Sequence, residues 1–200
     1  MATVYLKRLS GGKAPRENRE EEHAAGIFLL QEGLFREYGM VLRKELIRRG
    51  DHGKPYLQGF PEIYFSISHC AGLAACAIGK EKIGVDVEKV RAWKERVAKR
   101  VLTPSELCKL EESSDRNEFF FRLWTLKESY AKMDGRGLGI SFREISFQLP
   151  ESGEIFCSVS GVTFQQTAWN GYLLTLCLAG KEAGHFYRED CLSESMVLLE

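Results

Sequence analysis

The segment 83–88, with the sequence IGVDVE, places two acidic side chains in a run that otherwise has the composition of a buried β-strand. Successive side chains of a strand point to opposite faces, so Asp86 and Glu88 share one face, with their Cα atoms about 6.5 Å apart. Two carboxylates at that separation can bind one cation, and Mg²⁺ is commonly held by one or two carboxylates together with substrate phosphates. The alternative interpretation is the solvated outer face of a half-exposed strand.

A second segment, 119–139, has the sequence FFFRLWTLKESYAKMDGRGLG and the periodicity of a helix that ends at its glycines. On such a helix Glu128 and Lys132 lie four residues apart on one face, with Trp124 in line with them. A salt bridge beside a core tryptophan would explain this spacing. A third metal carboxylate, or a base beside a cation that meets phosphate, would explain it equally well.

The composition restricts the classes of function. The 200 residues are 44% hydrophobic, which indicates a globular protein with one sizeable core or two small ones. The 28 basic and 28 acidic residues balance, so no overall field favours nucleic acid or an anionic membrane. No apolar stretch approaches the roughly 18 residues of a membrane span, and the N-terminus lacks the apolar core of a secretion signal. We therefore expect a cytoplasmic protein with neither a membrane nor a nucleic-acid partner.

The order of the periodic segments predicts a mixed α/β (α+β) fold. A helical pattern covers residues 20–49, as one helix or as two that break near Gly39, and a helix begins at Thr103 in the capping sequence TPSE. A longer helix is predicted from about 115 to 133. Strands are predicted at 63–69, 73–79 and 83–88 as an antiparallel meander, and again in ISFREISFQL, EIFCSVS, VTFQQTAW and YLLTLCLAG. Residues 184–200 are expected to form a surface tail.

A short internal sequence repeat, which we call the echo, is informative about the architecture. CAIGKE at 76–81 and CLAGKE at 177–182 both close an apolar strand with Gly-Lys-Glu, about half a chain length apart. Two copies of a helix-plus-sheet unit would produce this echo.

The motifs ISHC, GVDVE and LWTLKESYAKMDGRGL, in this order, resemble the signature of the 4′-phosphopantetheinyl transferases, specifically the long two-lobed class typified by the enzyme that activates surfactin synthetase. The matched blocks lie between residues 53 and 139. The resemblance implies two lobes related by a pseudo-two-fold axis, each with a small antiparallel sheet and a long helix. We expect an N-terminal lobe at 1–84, which binds the adenosine-phosphate side of coenzyme A, and a C-terminal lobe at 85–200 with the metal and catalytic residues. A chain of this length is expected to work as a monomer.

By resemblance, the protein binds coenzyme A and Mg²⁺, transfers the phosphopantetheine arm to a serine of an apo acyl or peptidyl carrier protein, and releases 3′,5′-ADP. Asp86, Glu88 and Glu128 are the implied metal ligands, and Mn²⁺ suits the same oxygen donors. Glu88, Glu128 and Lys132 are the implied catalytic residues, with Lys132 placed to balance the α-phosphate or to protonate the leaving nucleotide. The base is either Glu128 or a water next to the metal, and the sequence does not choose between them.

The resemblance also implies contacts to coenzyme A. Lys54 in GKPY, together with Ser68 and His69 in SISH, matches positions that meet the adenosine-phosphate end, and Asp86 reaches coenzyme A through the metal. Lys127 is a neighbouring match whose side chain can also face elsewhere.

The chain departs from the family pattern in its first helix. Family members usually carry, after a histidine, an arginine that clamps the 3′-phosphate of coenzyme A, whereas this chain has Ala24 after His23. Arg16 or Arg19 is the expected substitute, because without an anion partner the phosphate would lose a charge-assisted contact.

The segment 91–100, RAWKERVAKR, has five basic residues and one acid and follows the acidic strand directly. It is a candidate docking surface for an acidic carrier protein, and a solvated amphipathic helix with Trp93 packed inward is the alternative. Two other functions remain open. One is another Mg²⁺-dependent nucleotide enzyme, such as a pyrophosphatase or kinase, although no P-loop or kinase glycine motif supports it. The other is a non-catalytic module that binds coenzyme A or a carrier.

Overall fold

The computed structural model describes residues 1–9, 15–150, 153–180, 184–188 and 197–199. In the first half, a strand is followed by one long helix and then by four further strands. The elements are β1 (Ala2–Arg8), α1 (Pro15–Tyr38), β2 (Ile47–Arg49), β3 (Pro55–Leu57), β4 (Tyr64–Cys70) and β5 (Leu73–Gly79).

In the described part of the second half, the first strand is followed by three α-helices and then by six short strands. The elements are β6 (Ile83–Lys89), α2 (Glu95–Val101), α3 (Pro104–Glu112), α4 (Arg116–Asp134), β7 (Phe147–Gln148), β8 (Phe156–Cys157), β9 (Val162–Trp169), β10 (Tyr172–Ala179), β11 (Gly184–Arg188) and β12 (Val197–Leu199). None of the helices in the described ranges has the length and apolar character that crossing a bilayer would require.

Two main sheets organise the described strands. The larger has the order β12-β11-β1-β5-β4, and in it β1 is antiparallel to β5 and parallel to β11. The smaller has the order β6-β10-β9 and is antiparallel throughout. A buried apolar cluster joins the two sheets, with Val4 and Leu6 from the first and Val85, Val87 and Leu174 from the second.

The two sheets repeat one topology. In the first half, β1 is followed by α1 and by the hairpin β4–β5, and β1 pairs with β5. In the second half, β6 is followed by α4 and by the hairpin β9–β10, and β6 pairs with β10. The echoed segments 76–79 and 177–180 lie at the matching ends of β5 and β10, and the repeat supports the duplication that this echo indicates. The predicted fold class, small antiparallel sheets combined with long helices, is confirmed, while the division between residues 84 and 85 stays a prediction.

In the second half, the sequence patterns that mark the ends of helices lie within single helical turns, and the structure confirms the helix ends that they predict. Thr103 and Glu106 form a reciprocal capping box at the start of α3, with Pro104 as its first residue. Asp115 caps α4 by accepting a hydrogen bond from the Glu118 N–H. The same helix ends at Gly135, whose φ of +89° gives the left-handed cap that glycine adopts most easily.

Several predictions were wrong where distant pairing decides the structure. For the helix predicted at 20–49, the break near Gly39 is confirmed, because α1 ends at Tyr38 and Gly39 has a φ of +63°, but a 3₁₀ turn at 44–46 and a strand at 47–49 take the place of a second helix. The segment ISFREISFQL forms only one short 3₁₀-helix, Phe142–Glu144, and the two-residue strand β7. The predicted tail contributes β11, which pairs with β1, itself a strand that the sequence patterns did not indicate.

The predicted meander was also wrong, because β6 leaves β4 and β5 and pairs with β10. The edge of β6 that faces β4 is bonded to side chains instead of a backbone ladder. The Val85 N–H donates to Ser66 Oγ over 3.1 Å, and the Val87 N–H donates to Ser68 Oγ over 3.2 Å. These two hydroxyls form a seam between the sheets, and we call Ser66 and Ser68 with their two β6 partners the serine seam.

Gly84 allows β6 to approach α4 closely. A Cβ added at Gly84 would collide with the Ser129 carbonyl oxygen and the Met133 backbone nitrogen. Because backbone atoms cannot move away as a side chain can, we expect Gly84→Ala to lower the free energy of unfolding by about 3 kcal/mol. Urea denaturation checks this, with Gly50→Ala as the matched control, since a Cβ at Gly50 meets nothing closer than 3.7 Å. Equal losses in the two variants would contradict the close approach.

Candidate active site

The helix α4 covers the acidic face of β6. Gly84 lies against its backbone, Asp86 meets Lys132, and Glu88 accepts a hydrogen bond from the indole N–H of Trp124 over 3.2 Å. The spacing of four residues between Trp124, Glu128 and Lys132 brings all three to this side of the helix. The acids of the IGVDVE segment are therefore covered by a polar helix face and do not form a solvated strand surface.

Asp86 is the most buried acid of the cluster, with 5% of its surface exposed. Its Oδ1 accepts two hydrogen bonds, from Ser68 Oγ over 2.9 Å and from Lys132 Nζ over 2.7 Å. Its Oδ2 is buried and has no hydrogen-bond partner in the part of the chain that the structure describes. Since a buried carboxylate oxygen without a partner is costly, Oδ2 is an acceptor available to a cation.

Glu88 has a partner on each oxygen. Oε1 accepts from Trp124, and Oε2 accepts from the Arg91 guanidinium over 2.7 Å. Arg91 also lies over the ring of Phe121, 4.7 Å from its centroid. The second acid of the strand is thus connected both to α4 and to the first residue of the basic segment 91–100.

Glu128 is the third carboxylate of the cluster. Burial raises its pKa to about 7, and the negative charges of Asp86 and Glu88 add to this increase, while the Lys132 ammonium opposes it. The mutual repulsion shows that the three acids, predicted from two separate segments, lie close together. A carboxyl group with a pKa near 7 can accept and release a proton at neutral pH.

The donor set fits a divalent cation such as Mg²⁺. Three carboxylates supply the hard oxygen ligands that Mg²⁺ prefers. The buried Asp86 Oδ2 accepts no hydrogen bond from the described residues and is therefore available as a ligand. Across the described residues no three His, Cys, Asp or Glu side chains are already arranged around a common metal position. Lys132 and Arg91 instead neutralise Asp86 and Glu88.

A cleft of about 780 Å³ opens beside this cluster, and Glu128, Lys132 and Trp124 form part of its wall. Both halves of the chain contribute to it, through 52–55 and 65–67 on one side and through α2, α4 and 135–143 on the other. Its basic lining residues are Lys54, Arg96, Arg100, Lys132 and Arg143, and apolar lining residues include Phe65, Ile67, Val97, Ile140 and Phe142. The cleft therefore suits a ligand that carries both phosphates and an uncharged arm.

Lys54 links the two elements behind the cleft. Its Nζ donates to the Ile83 carbonyl over 3.1 Å and to the Met133 carbonyl over 2.9 Å, which joins the start of β6 to the end of α4. Burial lowers the pKa of Lys54 to about 8, and the positive charge of Lys82 contributes to the decrease. The predicted ligand lysine thus lines the cleft while two of its three N–H donors serve the fold.

The other predicted contacts to coenzyme A lie apart from one another. Ser68 is buried and its hydroxyl donates to Asp86, whereas the exposed His69 has its Nδ1 3.0 Å from Glu22 Oε2 on α1. Arg19 is exposed near the start of α1, as is Ala24 one turn later. Arg16 lies in the same helix, but its side chain is outside the described part.

The structure does not bring Lys127 to the cluster. Its side chain is completely buried on another face of α4, with Nζ 2.9 Å from Glu106 Oε2. The same Nζ donates to the carbonyls of Phe142 and Ile145, over 2.8 and 2.6 Å. Lys127 therefore binds α4 to the start of α3 and to the segment that carries Phe142, one wall of the cleft.

Sequence reasoning missed three cationic residues of the cleft. Arg96 and Arg100 belong to the segment that we assigned to carrier docking, and their spacing of four residues would have placed both on one helix face. Arg143 follows the glycine-rich segment, and no motif or periodicity in the sequence marked it as a binding residue.

Comparisons with known proteins agree with this site. Residues 82–177, slightly less than half of the chain, match the sequence profile of the 4′-phosphopantetheinyl transferase superfamily. A 4′-phosphopantetheinyl transferase of Bacillus subtilis is 29% identical over 142 residues, which cover 69% of this chain and 63% of that relative. The 4′-phosphopantetheinyl transferase HetI of Nostoc sp. is 39% identical over 94 residues, 43% of this chain and 40% of the relative.

Among solved structures, the holo-[acyl-carrier-protein] synthase of Thermotoga maritima is similar with a TM-score of 0.44 and 27% identity, over 50% of this chain and 64% of that one. The chain spans a little less than two thirds of the length of the Bacillus subtilis relative. The profile match contains Asp86, Glu88, Glu128 and Lys132. The sequence matches confirm the resemblance to the 4′-phosphopantetheinyl transferases that the motifs indicated.

Proposed function

We propose that this protein transfers the 4′-phosphopantetheine arm of coenzyme A to a serine of an apo acyl or peptidyl carrier protein, with release of 3′,5′-ADP. The observation that carries the proposal is the cluster of Asp86, Glu88, Glu128 and Lys132 beside a cation-lined cleft, with Glu128 and Lys132 in the cleft wall. The match of residues 82–177 to the transferase superfamily supports it.

In this proposal Asp86, Glu88 and Glu128 hold Mg²⁺ or Mn²⁺. When bound, the ion neutralises charge on the pyrophosphate oxygens during the displacement. Lys132, which is 30% exposed and lines the cleft, supplies a further positive charge for the α-phosphate or a proton for the leaving nucleotide. The Asp86–Lys132 contact keeps that ammonium group at the cleft wall.

Glu128 is the proposed base for the carrier serine. Burial and the neighbouring carboxylates raise its pKa to about 7 in the metal-free protein, and a bound cation would lower this pKa. A water beside the metal is the alternative acceptor. Because Glu128 is also a proposed metal ligand, the two are compared in Glu128→Gln under conditions where this variant still binds Mn²⁺: loss of the dependence of the rate on pH would then favour Glu128 as the base.

The cleft is the proposed binding site of coenzyme A, between an N-terminal lobe at 1–84 and a C-terminal lobe at 85–200. Lys54 and His69 are proposed contacts of its adenosine-phosphate end, and Arg19 or Arg16 is proposed to replace the family arginine that Ala24 lacks. The basic segment 91–100 is proposed to dock the carrier. Since both halves of one chain line the cleft, we propose that the enzyme works as a monomer. We also propose that it is cytoplasmic and has neither a membrane nor a nucleic-acid partner.

The direct test is to incubate the protein with an apo carrier protein, coenzyme A and Mg²⁺ and to weigh the carrier by mass spectrometry. A mass increase of one phosphopantetheine group supports transfer. Binding of coenzyme A or carrier without a mass increase would indicate a non-catalytic module. Release of phosphate or pyrophosphate with an unchanged carrier would indicate a different nucleotide enzyme.

Lys54 provides a test of where coenzyme A binds. NMR of isotope-labelled lysine side chains should show one ammonium with a pKa of about 8, which disappears in Lys54→Met. Because a nearby phosphate stabilises the charged amine, saturating coenzyme A is expected to raise this pKa by about one unit. An unchanged pKa would place the phosphates away from Lys54.

A further inference from the structure

The serine seam contains two hydroxyls that make the same contact to β6, although Ser66 lines the cleft and Ser68 is not among its lining residues. Ser66 and Ser68 are both 5% exposed, both lie on β4, and both accept a backbone N–H of β6. Of the two, Ser68 also donates its hydroxyl proton to Asp86 Oδ1 over 2.9 Å. One of two matched residues therefore connects the sheet junction directly to an acid of the site.

The direction of the Ser68 hydroxyl is determined by its neighbours. The oxygen accepts from the N–H of Val87, the residue next to Asp86, so its proton is directed to the Asp86 carboxylate. Because donor and carboxylate both lie on paired or bridged strands, neither end of this hydrogen bond belongs to a mobile loop. The contact therefore limits the rotation of the Asp86 side chain.

Both donors to Asp86 bind the same oxygen. Ser68 and Lys132 share Oδ1, while Oδ2 is buried and accepts no hydrogen bond from the described part of the chain. Lys132 is a long, partly exposed side chain that the proposed reaction needs at the phosphate. Ser68 is short and buried, and its contact does not depend on where that ammonium group lies.

We infer that Ser68 is a positioning residue that anchors Oδ1 of Asp86 and leaves Oδ2 to a divalent cation. This role differs from the contact to coenzyme A that the family pattern implies for Ser68. The inference rests on the proposed function, because it assigns Asp86 to a metal. Its test is metal binding, which is measured without coenzyme A, carrier protein or turnover.

Removing a group that hydrogen-bonds a metal ligand typically weakens metal affinity about 10–100-fold. We therefore expect Ser68→Ala to raise the Kd for Mn²⁺, a probe for oxygen-ligand sites, by about tenfold or more. The Kd is measured on the full chain by titration calorimetry and by electron paramagnetic resonance of the free ion. Asp86→Asn gives the reference for loss of the ligand itself.

Ser66→Ala is the matched control. It removes the other hydroxyl of the serine seam and leaves one β6 N–H without its acceptor, but it does not touch the Ser68–Asp86 contact. The midpoint of urea unfolding should fall in both variants, and further in Ser68→Ala, which also loses the hydrogen bond to Asp86. Only Ser68→Ala should weaken Mn²⁺ binding, and Ser68→Cys, which keeps the volume and a weak donor, should lie between it and the wild type.

An equal rise of Kd in Ser66→Ala and Ser68→Ala would overturn the inference, because the sheet junction alone would then explain it. So would an unchanged Kd in Ser68→Ala, or a wild type that does not bind Mn²⁺. If Ser68→Ala does not fold, the same comparison is made with Ser68→Cys. A wild type that shows the expected metal pattern but never loads a carrier would refute the proposed function and leave the positioning role of Ser68 intact.

Discussion

Replacing Asp86 by asparagine is expected to lower kcat/KM for carrier loading about a thousandfold, because the metal clamp contributes several kcal/mol to the transition state. Asparagine keeps the shape of the side chain and an oxygen that can accept from Ser68 and Lys132, so the fold should be retained. The change removes the negative charge and puts an amide NH2, which cannot bind a cation, at the position of the buried Oδ2. The measurement is the rate of carrier loading at saturating Mg²⁺.

The control is Glu112→Ala, which removes an acid that forms an exposed pair with Lys109 at the end of α3. Exposed pairs contribute little, so this variant should load carrier at the wild-type rate. Circular dichroism and the unfolding midpoint should show that Asp86→Asn is folded. A folded Asp86→Asn protein within tenfold of the wild-type rate would exclude the proposed role of this acid.

The largest effect on stability is expected from the buried pair of Lys127 and Glu106, which are 0% and 2% exposed. Glu106 accepts from the N–H of Thr103 through Oε2 and from the N–H of Phe147 through Oε1. Lys127→Met would leave this carboxylate buried without a positive partner. We expect the free energy of unfolding to decrease by about 3–5 kcal/mol, as measured by urea denaturation.

The double variant Glu106→Gln with Lys127→Met separates charge from packing. Glutamine retains an acceptor for one of the two backbone N–H groups and removes the uncompensated charge, so the double variant should be more stable than Lys127→Met alone. Recovery should be incomplete, because the carbonyls of Phe142 and Ile145 lose their shared donor. A loss below about 1 kcal/mol in Lys127→Met would show that the pair does not support the fold.

The sequence predicted those parts of the structure whose signals are local. Thr103 and Asp115 start helices because their side chains accept from N–H groups within the same turn. Asp86, Glu88, Glu128 and Lys132 could be grouped because a strand period and a helix period each assign side chains to one face, and the family motifs join the two segments. In the structure Glu128 and Lys132 lie in the cleft wall, while Asp86 and Glu88 lie beside it and contact Lys132 and Trp124 of α4.

Parts that depend on distant partners could not be predicted. Nothing in the segment 83–88 shows that its free edge bonds to the hydroxyls of Ser66 and Ser68 in place of a backbone ladder, so a meander was the simpler inference. Lys127 faces away from the site because it pairs with Glu106. The sequence identified Glu106 only as part of a helix cap and not as the partner of a buried lysine. Arg143 enters the cleft through a segment without periodicity.

The parallel pairing of β1 with β11 has a consequence for biosynthesis. Ala2 and Gly184 are neighbours in one ladder, so β1 obtains this partner only after the whole segment between them has left the ribosome. Until then one edge of β1 presents unpaired backbone groups that can recruit foreign strands. The nascent protein should therefore depend on chaperone shielding longer than a chain whose sheets close in the order of translation.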